Sequence, residues 1–333
     1  MSYKRRIKLT NEYEENFISD RQTWIDIAKG IGILAMVFGH NILALQPIIF
    51  AFHMPLFFVL AGYTIKKVDK EQIISAIIKD FKRLIIPCIV AQLIILLGNT
   101  IINHNDILHE IKRLIACLVW GNHNGTLFGL GLPSIGRIWF LPALFWSKLV
   151  YRLLMYLFDG MDRFMVILIL SFVSMFMGMN GIILPQNFDM LFVCILFIEI
   201  GNIFKKIDLK SFDYWIYIAL FAVWTYFSCS QGIWISMNMR MYPGYGLCII
   251  VALAGCLCIF RFSMAIENIN VSKILSFYGI NSLVLLCIQS IAPNFYIGST
   301  GYQKCLDMLV ECLIVVFYVY IKKLFISILK RKA

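Results

Sequence analysis

Runs of about twenty apolar residues recur along this 333-residue chain. Coiled as a helix, a run of that length spans the ~30 Å hydrocarbon core of a bilayer. Candidate spans are read at 23–45, 47–65, 84–102, 138–158, 164–184, 188–204, 213–229, 244–262, 274–292 and 306–328. Hydrocarbon offers a backbone N–H or C=O no partner, so each run must satisfy its own peptide groups as a helix. Apolar residues make up 60% of the chain, against ~45–50% in an ordinary soluble domain. The spacing therefore predicts an all-α, polytopic membrane protein of about ten transmembrane helices, one integral-membrane domain over 1–333. No stretch is left for a separate soluble domain.

The net charge of +11 would suggest nucleic-acid binding in a soluble protein. Here the basic residues cluster in short connections, the pattern of cytoplasmic loops facing anionic lipid headgroups, and no nucleic-acid partner is expected. With an inner N-terminus, 24 of the 30 Lys and Arg fall on inner segments, among them Lys148, Arg152 and Arg163. Lys112, Arg113, Arg137, Arg240 and Lys304 fall outside, and Lys29 lies within a span. Both termini are expected to be cytoplasmic, with 1–22 an inner N-terminal segment and 103–137 an outer loop. That loop carries His104, His109 and His123, and its residues 107–120 suit a helix lying on the outer face. The N-terminus does not read as a cleavable signal. The ten cysteines form no CxxC pair and show no ligand spacing, so they read as small apolar packing residues and no metal is expected.

Two ionisable groups stand out against this apolar background. Lys29 and His40 share the first span, where charge costs several kcal/mol and marks function. Eleven residues are about three helical turns, so both lie on one face, ~16 Å apart along the axis. The chain turns at Gln46-Pro47 and returns, which brings His53 to a similar depth as His40. Histidine takes and returns a proton near neutrality, so His40 and His53 are the catalytic candidates. Asp26, one turn before Lys29, is read as orienting its ammonium. Lys66, Lys67 and Arg83 are further anion-binding candidates at the inner mouth. Arg137, Trp139 and the intramembrane Glu199 are further candidates. Glu311 is a second intramembrane carboxylate.

The string Ile25-Asp26-Ile27-Ala28-Lys29-Gly30-Ile31 through Gly39-His40 resembles the opening motif of the integral-membrane acyltransferase family three: a basic residue, ten residues, then histidine. The block Phe52-His53-Met54-Pro55-Leu56-Phe57-Phe58-Val59-Leu60-Ala61-Gly62-Tyr63 resembles that family's next block, in the form of its fucose 4-O-acetylase-like, surface-polysaccharide members. Arg83-Leu84-Ile85-Ile86-Pro87, Ile138-Trp139-Phe140-Leu141-Pro142 and Tyr278-Gly279-Ile280-Asn281-Ser282-Leu283 match later blocks in order. Lys29 stands where many members have arginine, keeping the charge but losing the planar fork. Gln289 stands where some carry histidine, so no catalytic role is assigned to it. Ala61 replaces a frequent serine.

The resemblance implies transfer of an acetyl or other acyl group from acetyl-CoA or another acyl-CoA donor to a hydroxyl of a polysaccharide or lipid-linked glycan, in a bacterial plasma membrane. Under it, His40 is the base, and His53 assists it or steadies the oxyanion. Lys29 pairs with the donor's pyrophosphate, helped by Arg83, Lys66 and Lys67. Arg137, Trp139 and Glu199 fall on the acceptor side. Two other readings remain open on the residues. One is a proton-coupled glycan-lipid or small-solute transporter using Lys29, His40 and Glu199 as a relay. The other is a catalytically silent membrane sensor.

Overall fold

A computed structural model of the chain describes residues 22–123, 126–127, 130–292 and 301–332. The expected N-terminal segment with Lys4, Arg5, Arg6, Lys8 and Arg21 lies outside the described residues, as do Asn124 and Gly125. In chain order the helices are α1 (Thr23–Asn41), α2 (Leu43–Thr64), α3 (Lys70–Ile101), α4 (Ile107–Trp120), α5 (Gly136–Leu157) and α6 (Gly160–Met179). They continue with α7 (Pro185–Phe204), α8 (Tyr214–Ser230), α9 (Gly246–Ala265), α10 (Val271–Ile280), α11 (Ser282–Ile291) and α12 (Gly301–Lys332). Between α4 and α5 the backbone makes a two-rung antiparallel ladder, Thr126–Leu127 against Leu130–Gly131.

A helix stands at every expected span, but fewer than ten are long and apolar enough to cross a bilayer by themselves. Among the described residues six qualify: α2, α3, α5, α6, α7 and α9. The pair α10–α11, bent by 66°, makes a seventh if counted as one span. The shortfall has a physical cause in each remaining helix. Asp26, Lys29 and His40 dilute the hydropathy of α1, α8 is short, and α12 carries Asp307, Glu311, Lys322 and Lys323.

The expected amphipathic segment is the helix α4. Asp106 caps its start by accepting the His109 N–H at 2.9 Å. Gly121 ends it at φ 67°, a left-handed position that favours glycine. The α1 helix begins where its Trp24 N–H reaches Glu267 Oε1, 3.2 Å away in the turn after α9. It ends at a short 3-10 turn, after which Pro47 starts the next α-helical stretch at a position where no N–H is needed.

The helices that carry the candidate residues touch backbone to backbone. A Cβ on Gly30 would lie 1.9 Å from the Leu275 carbonyl oxygen, and one on Gly279 1.7 Å from that of Asp26. These two glycines set the α1/α10 crossing. At the α2/α7 crossing, a Cβ on Gly62 would lie 1.8 Å from Ile198 O, and one on Gly201 2.0 Å from Val59 O. Small residues at crossings let helices approach closely where burial against lipid offers no driving force. α7 is the most enclosed qualifying span, with 67% of its apolar window buried, whereas α6 and α3 expose most of theirs.

Candidate active site

α1 and α2 run antiparallel. Trp24 near the start of α1 meets Tyr63 near the end of α2, edge to face at 5.1 Å. At the other end, a Cβ on Gly39 would crowd Ile49 and Phe50. The pair therefore has a Lys29 end and a His40 end.

Around α1 the contacts leave one direction for Lys29 and His40. Gly30 faces Leu275 of α10, Gly32 and Gly39 face α2, and Phe38 is the exposed side. At 100° per residue, Lys29 and His40 fall between the α2 and α10 contacts and opposite Phe38. Both are half-buried. On the same stripe between them lie Ile33 and Met36, 2% and 3% exposed. The seam joining the two ends is thus filled with apolar side chains.

At the His40 end, the Phe50 ring touches both histidines, 5.3 Å from His40 and 4.9 Å from His53 between centroids. His53 is buried, and its Nδ1 lies 3.1 Å from the Ile49 carbonyl oxygen. A carbonyl only accepts, so Nδ1 carries the proton and Nε2 of neutral His53 presents a lone pair. In that state the ring has no second N–H to offer an oxyanion. Its geometry fits proton acceptance instead.

The groups within electrostatic reach of His40 are Arg137, His53 and His123. Arg137, at the start of α5, donates through NH1 to the Gln289 side-chain oxygen at 2.6 Å and to its main-chain oxygen at 3.0 Å. Gln289 Nε2 in turn donates to the buried Glu311 carboxylate. An amide thus joins a guanidinium to a carboxylate across α5, α11 and α12. Trp139 is corrected as an acceptor-binding candidate: it is 4% exposed, packed against Phe140 with centroids 6.3 Å apart, and offers no face to a sugar.

His123, which the sequence reading did not place in the site, arrives on the chain after α4. The residue before it is clasped by two partners. Asn122 donates to Leu184 O at 2.7 Å and accepts from Arg240 NH2 at 2.7 Å. Arg240 also binds both Asp189 oxygens, at 2.7 and 3.0 Å, and the Asn238 carbonyl at 2.8 Å. Asn187 donates to Gly121 O at 2.8 Å, and Gln186 donates to the Leu118 and Val119 carbonyls that end α4. Gln186, Asn187 and Arg240 hold φ of 56°, 62° and 56°. Such backbone persists only where its surroundings over-determine it.

At the Lys29 end, Lys29 Nζ lies 3.7 Å from Asp26 Oδ1, an i,i+3 pair that steers the ammonium. Lys67 is exposed and 3.6 Å from Asp159, while Lys66 is exposed in the same connection. Arg83 sits in a π-helical turn of α3 within reach of Lys148. Lys148 and Arg152, one turn apart on α5, both bind the buried Asp80, Arg152 at 2.6 Å. Two cations sharing one carboxylate leave this cluster positive. Beside Trp24 and Tyr63 opens a cavity of about 290 Å³, lined also by Asp208, Glu267 and Lys210. Its acidic lining does not suit a pyrophosphate.

Glu199 is also corrected as an acceptor-binding candidate. It lies next to the Gly62–Ile198 contact, hence at the Lys29 end, ten residues or ~15 Å along α7 from Asp189. Arg163 binds both its oxygens, at 3.0 and 3.1 Å, and Tyr151 donates to it at 2.5 Å. Its acceptor capacity is spent inside the fold. Lys148, Arg152 and Arg163 are likewise not loop charges but counterions of buried carboxylates. The i,i+4 spacing of Lys148 and Arg152, placing two cations on one helical face, was the available signal.

A family model described as an acyltransferase domain matches residues 22–322. No curated protein and no solved structure matches the chain.

Proposed function

Because the chain belongs to this acyltransferase family, we propose that it moves an acetyl or other acyl group from a coenzyme A thioester to a hydroxyl of a surface or exported glycan. The observation that carries the reading is α1 itself. Its Lys29 and His40 share one inward stripe ~16 Å apart, one held by Asp26 and the other grouped with His53, His123 and Arg137. In a bacterial plasma membrane with both termini inside, the Lys29 end faces the cytoplasmic donor and the His40 end the outer acceptor.

His40 serves as the base. A sugar hydroxyl is a poor nucleophile until its proton is drawn off as it attacks. His40 takes that proton while the new C–O bond forms and the C–S bond breaks. The imidazolium then returns the proton to the departing thiolate. His53, with Nε2 turned to accept, assists the transfer from the buried side. Arg137, held by Gln289, supplies positive potential where oxyanion charge grows. The positive Asp80–Lys148–Arg152 cluster, with Arg83 beside it, joins Lys29 in attracting the anionic end of the donor, and Lys66 and Lys67 add potential at the mouth.

The test is mass spectrometry of surface glycans from a deletion strain complemented with the parent, His40→Ala or Lys29→Ala. The parent restores the acylated species. His40→Ala lowers it by the ~10²–10⁴-fold typical of a lost general base. Full restoration by His40→Ala refutes the mechanism. Unchanged donor affinity of purified Lys29→Ala refutes the anion-binding role.

A further inference from the structure

The imidazole of His123 is buried at an atom the reaction above does not use. Its Nδ1 is shielded from solvent and has no hydrogen-bond partner among the described residues. A buried polar atom left unpaired is costly, and native folds rarely carry one without a use. The Ile135 N–H donates to the Asn122 carbonyl at 3.0 Å, which sets His123 beside the start of α5. The His123 ring lies within electrostatic reach of His40, Arg137 and Arg240. The clasp on Asn122 fixes the backbone that presents it. Three imidazoles and a guanidinium, from α1, α2, the α4–α5 connection and α5, thus gather at one end of the bundle.

The protonation of the ring follows from its partners. Burial lowers its pKa below the ordinary histidine value, the nearby Gly136 backbone opposes this, and the Arg137 and Arg240 guanidiniums lower it further. His123 is therefore neutral at physiological pH. In the tautomer that leaves Nδ1 its lone pair, that nitrogen takes an O–H and refuses a carbonyl or an ether.

We infer that His123 is the acceptor-selecting residue of this site: its Nδ1 receives the O–H of a second hydroxyl on the acceptor, neighbouring the one from which His40 draws the proton. This rests on the acyl-transfer reading and deepens it. The acceptor is a polyol of the hexose class, and the choice of hydroxyl follows from which neighbour reaches His123. A donor–acceptor pair made only when the second hydroxyl is present discriminates strongly, because an analogue lacking it leaves the nitrogen buried and unpaired.

The test uses the full chain in lipid nanodiscs with acetyl-CoA and a panel of methyl hexopyranosides and their monodeoxy analogues. Transfer is followed by coenzyme A release and mass spectrometry of the glycoside. For the parent, removing the neighbouring hydroxyl lowers kcat/KM by ~10-fold or more. His123→Leu raises KM for the full glycoside by ~10-fold with kcat within ~3-fold, and erases the discrimination against the deoxy analogue. His123→Asn, whose amide oxygen sits where Nδ1 does, keeps most of it. A merely structural role would lower the yield of folded protein or scale all substrates together, leaving the deoxy ratio unchanged. That unchanged ratio in active His123→Leu overturns the inference, as does a loss of the discrimination in folded His123→Asn or a loss confined to kcat. A parent that acylates no glycoside of the panel overturns the polyol assignment. If such a parent also shows no acyl transfer in cells, the underlying reading fails with it.

Discussion

Replacing Arg240 by methionine tests the clasp that holds the His40 end together. The guanidinium binds both oxygens of Asp189 as well as Asn122, Asn187 and the Asn238 carbonyl. The Asp189 side chain is 0% exposed, and its own counterpart is 2% exposed. Removing one member of such a pair leaves a buried charge without compensation, which costs ~3–5 kcal/mol. Arg240→Met is therefore expected to destabilise the protein by that amount. Asp189→Asn in the same chain removes the stranded charge while keeping an acceptor for the Leu184 N–H, now bonded at 3.0 Å. The double variant should recover ~2 kcal/mol relative to the single one, a coupling within the range seen for contacting residues. Unfolding in mixed micelles, followed by tryptophan fluorescence, measures both numbers. A single-variant cost under ~1 kcal/mol, or no coupling between the two sites, would refute the claim that this ion pair fastens the loops.

Two further expectations concern packing and pH. Gly279→Ala should destabilise by ~1–3 kcal/mol, since a Cβ there meets the Asp26 carbonyl at 1.7 Å. Gly246→Ala, with nothing within 4 Å of the added atom, should be neutral; equal melting temperatures for the two would contradict the crossing geometry. Burial opposes the charge on Glu110, but hydrogen bonds from Asn105, Arg113 and Asn99 outweigh it and hold its pKa below the usual carboxylate range. A depressed folded-state pKa adds stability that is present above the unfolded value of about 4.3 and disappears as pH falls through the folded one. Glu110→Gln should therefore lower stability at neutral pH and lose its effect in acid, read from melting temperature against pH.

What the sequence revealed and what it hid divide along a physical line. The shared stripe of Lys29 and His40 was legible because helical spacing alone puts both on one face of α1. The helix over 107–120 was legible as a segment suited to the outer face, and the structure shows Asp106 and Gly121 capping it. Glu199 was legible as an intramembrane carboxylate but not as a structural one, since its partners Arg163 and Tyr151 stand on other helices. Counting Lys and Arg as loop residues misplaced Lys148, Arg152 and Arg163 for the same reason. The clasp on Asn122 depends on left-handed backbone at Gln186, Asn187 and Arg240, residue types that announce no such conformation. Trp139 was read as an acceptor-side candidate from its position near a span end, but its burial is decided by Phe140 and the surrounding core.

The filled seam between Lys29 and His40 makes a last, sharper demand on the acyl-transfer reading. If the donor's anionic end is held near Lys29, its thioester must reach a base ~16 Å away along the same helix. Ile33 and Met36 occupy that path, both in the core, so they must shift each time the acyl group passes. An unbranched methionine adapts to such passage better than a stiffer side chain. Met36→Leu conserves volume, costs under ~1.5 kcal/mol, and should retain transfer. Met36→Trp should obstruct it, reducing acetyl transfer by ~10-fold or more while donor binding at Lys29, measured by titration, stays within ~3-fold. Met36→Ala loses ~2–5 kcal/mol of stability, but the space it opens should raise the rate with butyryl relative to acetyl donors. Transfer by Met36→Trp at the parent's rate would mean that the thioester reaches His40 by another route. Lys29 and His40 would then share a stripe without sharing a substrate.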